Sequence, residues 1–329
     1  MDINTPFAQL TPDAVLDASE ALGLTPDGRL FALNSYENRV YRVGRVDADP
    51  VVLKFYRAER WSDQQILEEH ALAGELAAAD VPVAPPLLLR GRTLHCHRAF
   101  RLAAFPLCAG SAPELDQAGA RELLGRTLAR IHAVGALRRF RYRPTLEPAM
   151  LGSRSREHML SSPLLPAHMR QRYEDVSATL IDAIQAAFLQ AAPVSLIRLH
   201  GDCHLGNILW QARGPLFVDL DDCLNGPRMQ DLWMFLSGNA DEQRGQWADI
   251  IEGYRQFGSI DYRELRLVEP LRALRMLNHA AWVAERWRDP AFPRAFPWAA
   301  EARYWEGYVG DLAEQCQVLA EPPLLLGDL

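Results

Sequence analysis

The chain has 329 residues, 49% of them hydrophobic, with 42 acidic and 35 basic side chains and a formal net charge of −7; it is long enough for a large core and about two domains. The acidic balance argues against broad nucleic-acid or anionic-membrane binding, and no apolar run in the sequence is long enough to span a bilayer. The cysteines (Cys96, Cys108, Cys203, Cys223, Cys316) are odd in number and scattered, which points to a reducing compartment, and Met1 to Leu24 lacks the cationic start and unbroken apolar core of a signal peptide.

In chain order, Thr11-Pro12-Asp13 supplies a start signal for a helix over 11–22. Strand-like runs follow at 30–33, 39–46, 51–56, 87–89 and 98–105, with a helix over 61–79 among them. Between the first two runs lies Asn34-Ser35-Tyr36-Glu37-Asn38, where a phosphate-binding loop would carry glycines; this segment has none. A tight turn of Asn and Ser still aims amides and a hydroxyl outward, so Ser35 is the candidate phosphate contact, and the competing reading is a plain polar hairpin turn.

The third run, Val51-Val52-Leu53-Lys54-Phe55, holds the only lysine in the chain; every other basic residue is arginine. A compact ammonium on a β-branched strand suits a phosphate and a carboxylate partner in a narrow site, where a guanidinium fork is too large. The strand resembles the V-A-I-K strand of kinases. The helix starting at Ser62-Asp63 offers the partner: Glu69 lies three residues from both Ile66 and Leu72, near the apolar stripe, and is preferred to Glu68. Composition changes after Phe105-Pro106, which reads as a hinge and divides the chain into 1–106 and 107–329.

Beyond the hinge most periodic segments are helical. The helix over 116–134 contains Leu124-Gly125 and ends near His132, which is expected to be packed or hydrogen-bonded rather than catalytic. Arg138-Arg139-Phe140-Arg141-Tyr142-Arg143 reads as a solvated surface run, with docking of acidic or phosphate-rich partners as the alternative. His200-Gly201-Asp202 then precedes Asn207, and the apolar run Leu216-Phe217-Val218 delivers Asp219. An aspartate that orients a hydroxyl, followed by an amide oxygen and a carboxylate as hard ligands for Mg²⁺, is the side-chain set of phosphoryl transfer. A zinc site from His200, Cys203, His204 and Cys223 fits no familiar ligand spacing. Asp221 is open between ligand and turn residue, and Asp231, opening a later helix, resembles the aspartate with which kinases of this kind hold the catalytic loop, a structural rather than chemical role. Trp282, Trp287, Trp298 and Trp305 are read as core, and 289–298 as an irregular loop.

The segments LNSYENRVY, VVLKFYRAERW, QILEEH, RLHGDCHLGNILW, FVDLDD, NGPRMQDLWM and DPAFPRAFPW together resemble the bacterial stress response kinase family, within the aminoglycoside phosphotransferase and choline kinase-like branch. The resemblance covers nearly the whole chain. It implies an α+β, two-lobed protein-kinase-like fold, with a small β-rich N-lobe and a larger, mostly helical C-lobe of choline kinase type. It also implies a serine/threonine protein kinase that uses ATP and Mg²⁺, with Asp202 as proton acceptor, Asn207 and Asp219 as magnesium ligands, and Ser35 and Lys54 as nucleotide contacts. Glu69 would pair with Lys54, and the adenine would sit near Phe105. Protein substrates with Ser or Thr acceptors, the kinase itself among the candidates, a monomeric state, cytoplasmic location and a stress role follow from the resemblance alone. Two other readings share the residues: a kinase for an amino alcohol, sugar or antibiotic, and a non-catalytic nucleotide-binding protein.

Overall fold

The structure, a computed structural model, describes residues 6–322, so the outermost residues of both expected domains lie outside the described part. The chain divides into two compact units. One comprises the chain up to Glu114 together with Phe140–Arg143 and Leu205–Cys223; the other comprises Leu115–Arg139, Pro144–His204 and the chain from Leu224 onward.

The first unit opens with α1 (Pro12–Ala21), whose start is fixed by Pro12 in the first turn and by the Thr11 hydroxyl, which accepts from the Ala14 amide at 3.2 Å. An antiparallel sheet follows, built from β1 (Pro26–Leu33), β2 (Arg39–Arg45), β3 (Ala48–Phe55), β4 (His95–His97) and β5 (Phe100–Pro106) in the order β1-β2-β3-β5-β4. Alternation along the central strand β3 sets the two faces. Leu53 and Phe55 pack with Val15 and Ala18 of α1. Lys54, paired across the sheet with Val40 and Ala103, points to the opposite face, where Ala103 and Tyr56 meet Ile66 of α2 (Asp63–Ala78). That helix begins with a capping box in which the Ser62 amide donates to Gln65 at 2.8 Å and the Gln65 amide to the Ser62 hydroxyl at 3.3 Å.

Two local expectations change. Residues 87–89 are not a strand: Pro82, Pro85 and Pro86 remove backbone donors just upstream, and the stretch joins the sheet through the Leu87 amide, which donates to the Ala104 carbonyl at 2.7 Å. The edge strand is instead His95–His97, three residues with little β-forming character. A separate hairpin, Ile208–Gln211 against Gly214–Phe217, completes this unit and is tied to the Pro82 carbonyl through the Phe217 amide at 2.9 Å.

The second unit is mostly helical: α3 (Ala120–Gly135), α4 (Pro148–Ser161), α5 (Arg170–Ala191), α6 (Met229–Leu232), α7 (Ala240–Tyr254), α8 (Val268–Glu285), α9 (Ala291–Ala295) and α10 (Ala302–Ala320). Its core gathers Met159, Tyr173, Leu180, Ile184, Leu274, Leu277, Trp305, Val309 and Leu312, each contributing about 1.5–3 kcal/mol of burial. Helices α3 and α7 approach closely enough that a Cβ on Gly125 would lie 1.9 Å from the Ile250 carbonyl oxygen, and one on Gly253 would lie 1.8 Å from that of Glu122. The stretch 289–298 is less irregular than expected, since α9 lies within it and Phe292 is fully buried against Trp282. A short ladder, Ile197–Leu199 against Leu224–Gly226, leads directly into the loop at Asp202. Among the described residues no helix is long and apolar enough to cross a membrane.

Candidate active site

In the first unit, the Lys54 ammonium lies among three carboxylates: Asp219 at 2.9 Å, Asp221 at 3.0 Å and Glu69 at 3.4 Å. Burial alone would push the ammonium toward neutrality, but Asp219, Asp221 and Glu69 outweigh it and hold its pKa well above the ordinary lysine value. Two arginines close the cluster. Arg60 donates to Asp221 and, at 2.5 Å, to Asp222, while Arg143 donates to Glu69 at 2.8 Å. Burial pushes the Glu69 carboxyl up against the opposing pull of Lys54 and Arg143. Burial would also raise Asp221, but Lys54, Arg60 and Arg143 hold it well below the usual carboxylate range.

The two neighbouring glutamates of α2 have separate tasks. Glu69 is buried beside Lys54, whereas Glu68 accepts from three consecutive amides, Arg141 at 2.7 Å, Tyr142 at 2.8 Å and Arg143 at 2.8 Å. The basic run 138–143 is therefore not simply a solvated surface: Phe140 and Arg143 are buried. Asp219 and Asp221 also differ. Asp221 is enclosed by its cations, while the Asp219 side chain is 52% exposed and its backbone adopts a left-handed conformation, φ 59°. Asn207 ends a single 3₁₀ turn, and its carbonyl accepts from the Val218 amide at 3.0 Å, adjacent to Asp219 in the chain.

The remaining first-unit candidates lie elsewhere in the fold. Ser35 donates to the Asn38 carbonyl at 3.1 Å within its own turn. That glycine-free turn is anchored by Arg57, whose amide donates to the Asn38 side chain at 3.1 Å and whose guanidinium donates to the Glu37 carbonyl at 3.0 Å. Phe105, on β5, presents its ring edge-on to His70 at 6.2 Å. His70 is itself fixed between Tyr56 at 2.8 Å and Thr93 at 2.9 Å, and burial lowers its pKa to about 3.

In the second unit, Asp202 follows Gly201, whose φ of 89° is a conformation that glycine supplies without strain. The loop hangs from Asp231. That fully buried carboxylate accepts from the His200 and Gly201 amides, each at 2.8 Å, and lies 3.3 Å from the His132 ring, which also meets the Tyr254 hydroxyl at 2.8 Å. Asp231 and His132 thus have the structural contacts expected of them. Arg275 of α8 donates to one Asp202 oxygen, and His204 lies 3.4 Å from the other. Burial would raise Asp202, yet the hydrogen bond from His204 and the Arg275 charge hold it well below the usual carboxylate range, so it stays ionised near neutral pH.

Arg60 and Arg275 were not singled out by the sequence pattern, and Arg143 stood out only as part of a basic run, not as a partner of the site. A lone lysine stands out in an arginine-rich chain, but no arginine does. Cys203 is fully buried, and burial above all pushes its thiol well up, which makes it inert. Among the described residues no group of three or more His, Cys, Asp and Glu side chains is arranged to hold a metal ion.

The model of the phosphotransferase enzyme family matches residues 30–268. The chain is 44% identical over 320 residues to stress response kinase A of Escherichia coli strain K12, covering 97% of each chain. It is 43% identical, with the same coverage, to a protein of Salmonella typhimurium named serine/threonine protein kinase RdoA. Among solved structures it is similar to the amicoumacin kinase hAmiN in complex with AMP-PNP, Ca²⁺ and Ami, with a TM-score of 0.74 at 18% identity and 96% of each chain covered. A microcompartment-associated aminopropanol kinase gives a TM-score of 0.66 at 20% identity, covering 91% of this chain and 98% of that one. These two likenesses establish the kinase-like fold.

Proposed function

The chain belongs to the phosphotransferase enzyme family and within it to the stress response kinases, and from that premise we propose that it transfers the γ-phosphoryl group of Mg-ATP to serine or threonine hydroxyls of proteins in bacterial stress. It is an ATP-dependent phosphotransferase by family. The observation that carries the site reading is the sole lysine, buried on β3 with Glu69 and Asp219 as partners. The protein acceptor rests on the names of relatives at 43–44% identity, against the small-molecule acceptors of fold neighbours at 18–20%.

In this reading Lys54 grips the ATP phosphates and Glu69 keeps its ammonium in place. Asn207 and Asp219 would hold Mg²⁺. Their donor chemistry fits: Mg²⁺ is commonly held by one or two carboxylates plus substrate phosphates rather than by an all-protein cage. The formal charges fit as well, since the four carboxylates Glu69, Asp219, Asp221 and Asp222 are paired with three cations, Lys54, Arg60 and Arg143. Bound there, the ion would offset the charge on the phosphates. Ser35 contributes a hydroxyl contact to the nucleotide, and Phe105 a surface for its base.

Asp202 is the residue that orients the acceptor hydroxyl. Phosphoryl transfer has a loose transition state, so alignment and electrostatics matter more than base strength. A carboxylate held ionised by Arg275 and His204 suits that task. The protein acts as a monomer in the cytoplasm, with its own hydroxyls among the acceptors.

The test is transfer of labelled γ-phosphate from Mg-ATP by the purified protein and by Asp202→Ala, with a generic protein acceptor and a panel of amino alcohols, sugars and antibiotics. Label on protein serine or threonine, lost in the variant with nucleotide binding kept, is the expected result. Label confined to small acceptors would replace the protein-kinase reading by a small-molecule one, and full transfer by Asp202→Ala would sink the role given to that residue.

A further inference from the structure

Arg143 makes contacts that the roles assigned above leave unused. Its side chain is fully buried, and its three guanidinium nitrogens reach three acceptors: Nε donates to the Gln65 carbonyl at 2.8 Å, Nη1 to the Asp221 carbonyl at 2.5 Å and Nη2 to Glu69 Oε2 at 2.8 Å. Its guanidinium carbon also sits 4.4 Å from the centre of the Trp61 ring. Two of these acceptors belong to α2; the third belongs to the turn that carries Asp219. Lys54 is held between the same two parts, with Glu69 on one side and Asp219 and Asp221 on the other.

The arginine is itself held by backbone. Glu68 accepts from the amides of residues 141, 142 and 143, and Gln65 donates to the Tyr142 carbonyl at 3.0 Å. The consecutive residues Glu68 and Glu69 thus do paired work: one seats the segment that delivers Arg143, and the other receives its charge.

We propose that Arg143 is a positioning residue for phosphoryl transfer, one that sets the spacing between Glu69 and the 219–221 turn and so fixes where the Lys54 ammonium stands. In this scheme Arg143 acts on Lys54 only through Glu69 and Asp221. A guanidinium serves the three acceptors from three separate nitrogens held in one plane, whereas an ammonium would have to reach all three from a single nitrogen. With Glu69 Oε2 occupied by Arg143, Oε1 is the oxygen left facing Lys54. Misplacing that ammonium by an ångström would lower turnover far more than ATP affinity.

This inference rests on the roles proposed for Lys54 and Glu69, and the experiment separates the two. ADP release from Mg-ATP in the presence of casein is measured for wild type, Arg143→Lys, Glu69→Gln and the double variant, beside Lys54→Met, with ATP-analogue binding and thermal unfolding followed on each. Arg143→Lys keeps charge and bulk, so it is read in place of Arg143→Ala, which leaves Glu69 buried without its guanidinium partner. The expected result is a loss of kcat of about a hundredfold in Arg143→Lys with less than about a threefold change in nucleotide affinity, and a double variant no slower than Glu69→Gln alone. Losses that multiply in the double variant, or wild-type turnover in Arg143→Lys, would overturn the inference. If Lys54→Met and Glu69→Gln both turn over normally, the site reading beneath it fails instead.

Discussion

The charged cluster around Lys54 and the loop around Asp202 solve opposite problems. In the first, seven ionisable side chains of both signs are packed together, so that a buried ammonium stays charged and fixed. In the second, one carboxylate, a quarter exposed, is presented by a loop whose backbone hangs from Asp231. The lesson is that geometry is held by side-chain charge in one unit and by backbone amides in the other. Substitutions should therefore fail in different ways.

The most damaging substitution for stability belongs to the backbone-held loop. Asp231→Ala leaves two buried amides without an acceptor and removes the partner of His132; a loss of about 3–5 kcal/mol is expected in urea unfolding. A loss under about 1 kcal/mol would show that the loop is held by something else. Lys54→Met sharpens the contrast. It strips three carboxylates of a shared cation, but Arg60 and Arg143 remain, so the expected loss is about 2–3 kcal/mol, accompanied by loss of transfer. Equal stability effects in these two variants would erase the distinction.

Much of the charge-held half could be read from short-range pattern. The β-branched run around Lys54, the apolar stripe of α2 and the apolar run that ends at Asp219 are each local signals. Of the backbone-held half, Asp231 was legible through the resemblance to the kinase branch. The arginines were not, because a pairing across 78 residues, as between Arg143 and Asp221, or 73, as between Arg275 and Asp202, leaves no periodic trace. The misplaced edge strand has a similar cause. Leu87-Leu88-Leu89 looks like a strand by apolarity, but two prolines precede it, and His95–His97 looks like none.

A third test uses pH. Glu264 is buried beneath the start of α6, accepting from the Met229 amide at 3.2 Å, and burial raises its pKa from 4.5 to about 7. Its folded value lies above its unfolded one, so the native state binds the extra proton between those limits, and the contribution falls as pH rises through about 7. Glu264→Gln, which keeps an oxygen for that amide, should abolish this decline. The variant is expected to be more stable than wild type above neutrality by about 2 kcal/mol; an unchanged pH profile would remove Glu264 as the cause. The smallest effect is expected at the half-exposed partner of Asp202. Arg275→Ala should cost less than about 1 kcal/mol, because the loop it touches is held through its amides. A larger loss in thermal unfolding would mean that charge is structural in this unit too.

One consequence of the single, buried lysine concerns covalent labelling. In most proteins amine-selective acylating reagents scatter over many surface sites, but here Lys54 is the only side-chain amine and is 5% exposed. Its rate of acylation, read as one mass increment on one peptide, therefore becomes a clock for the opening of the charged cluster around it. A nucleotide whose phosphates contact Lys54 should slow that clock, and no residue need be changed to install the probe.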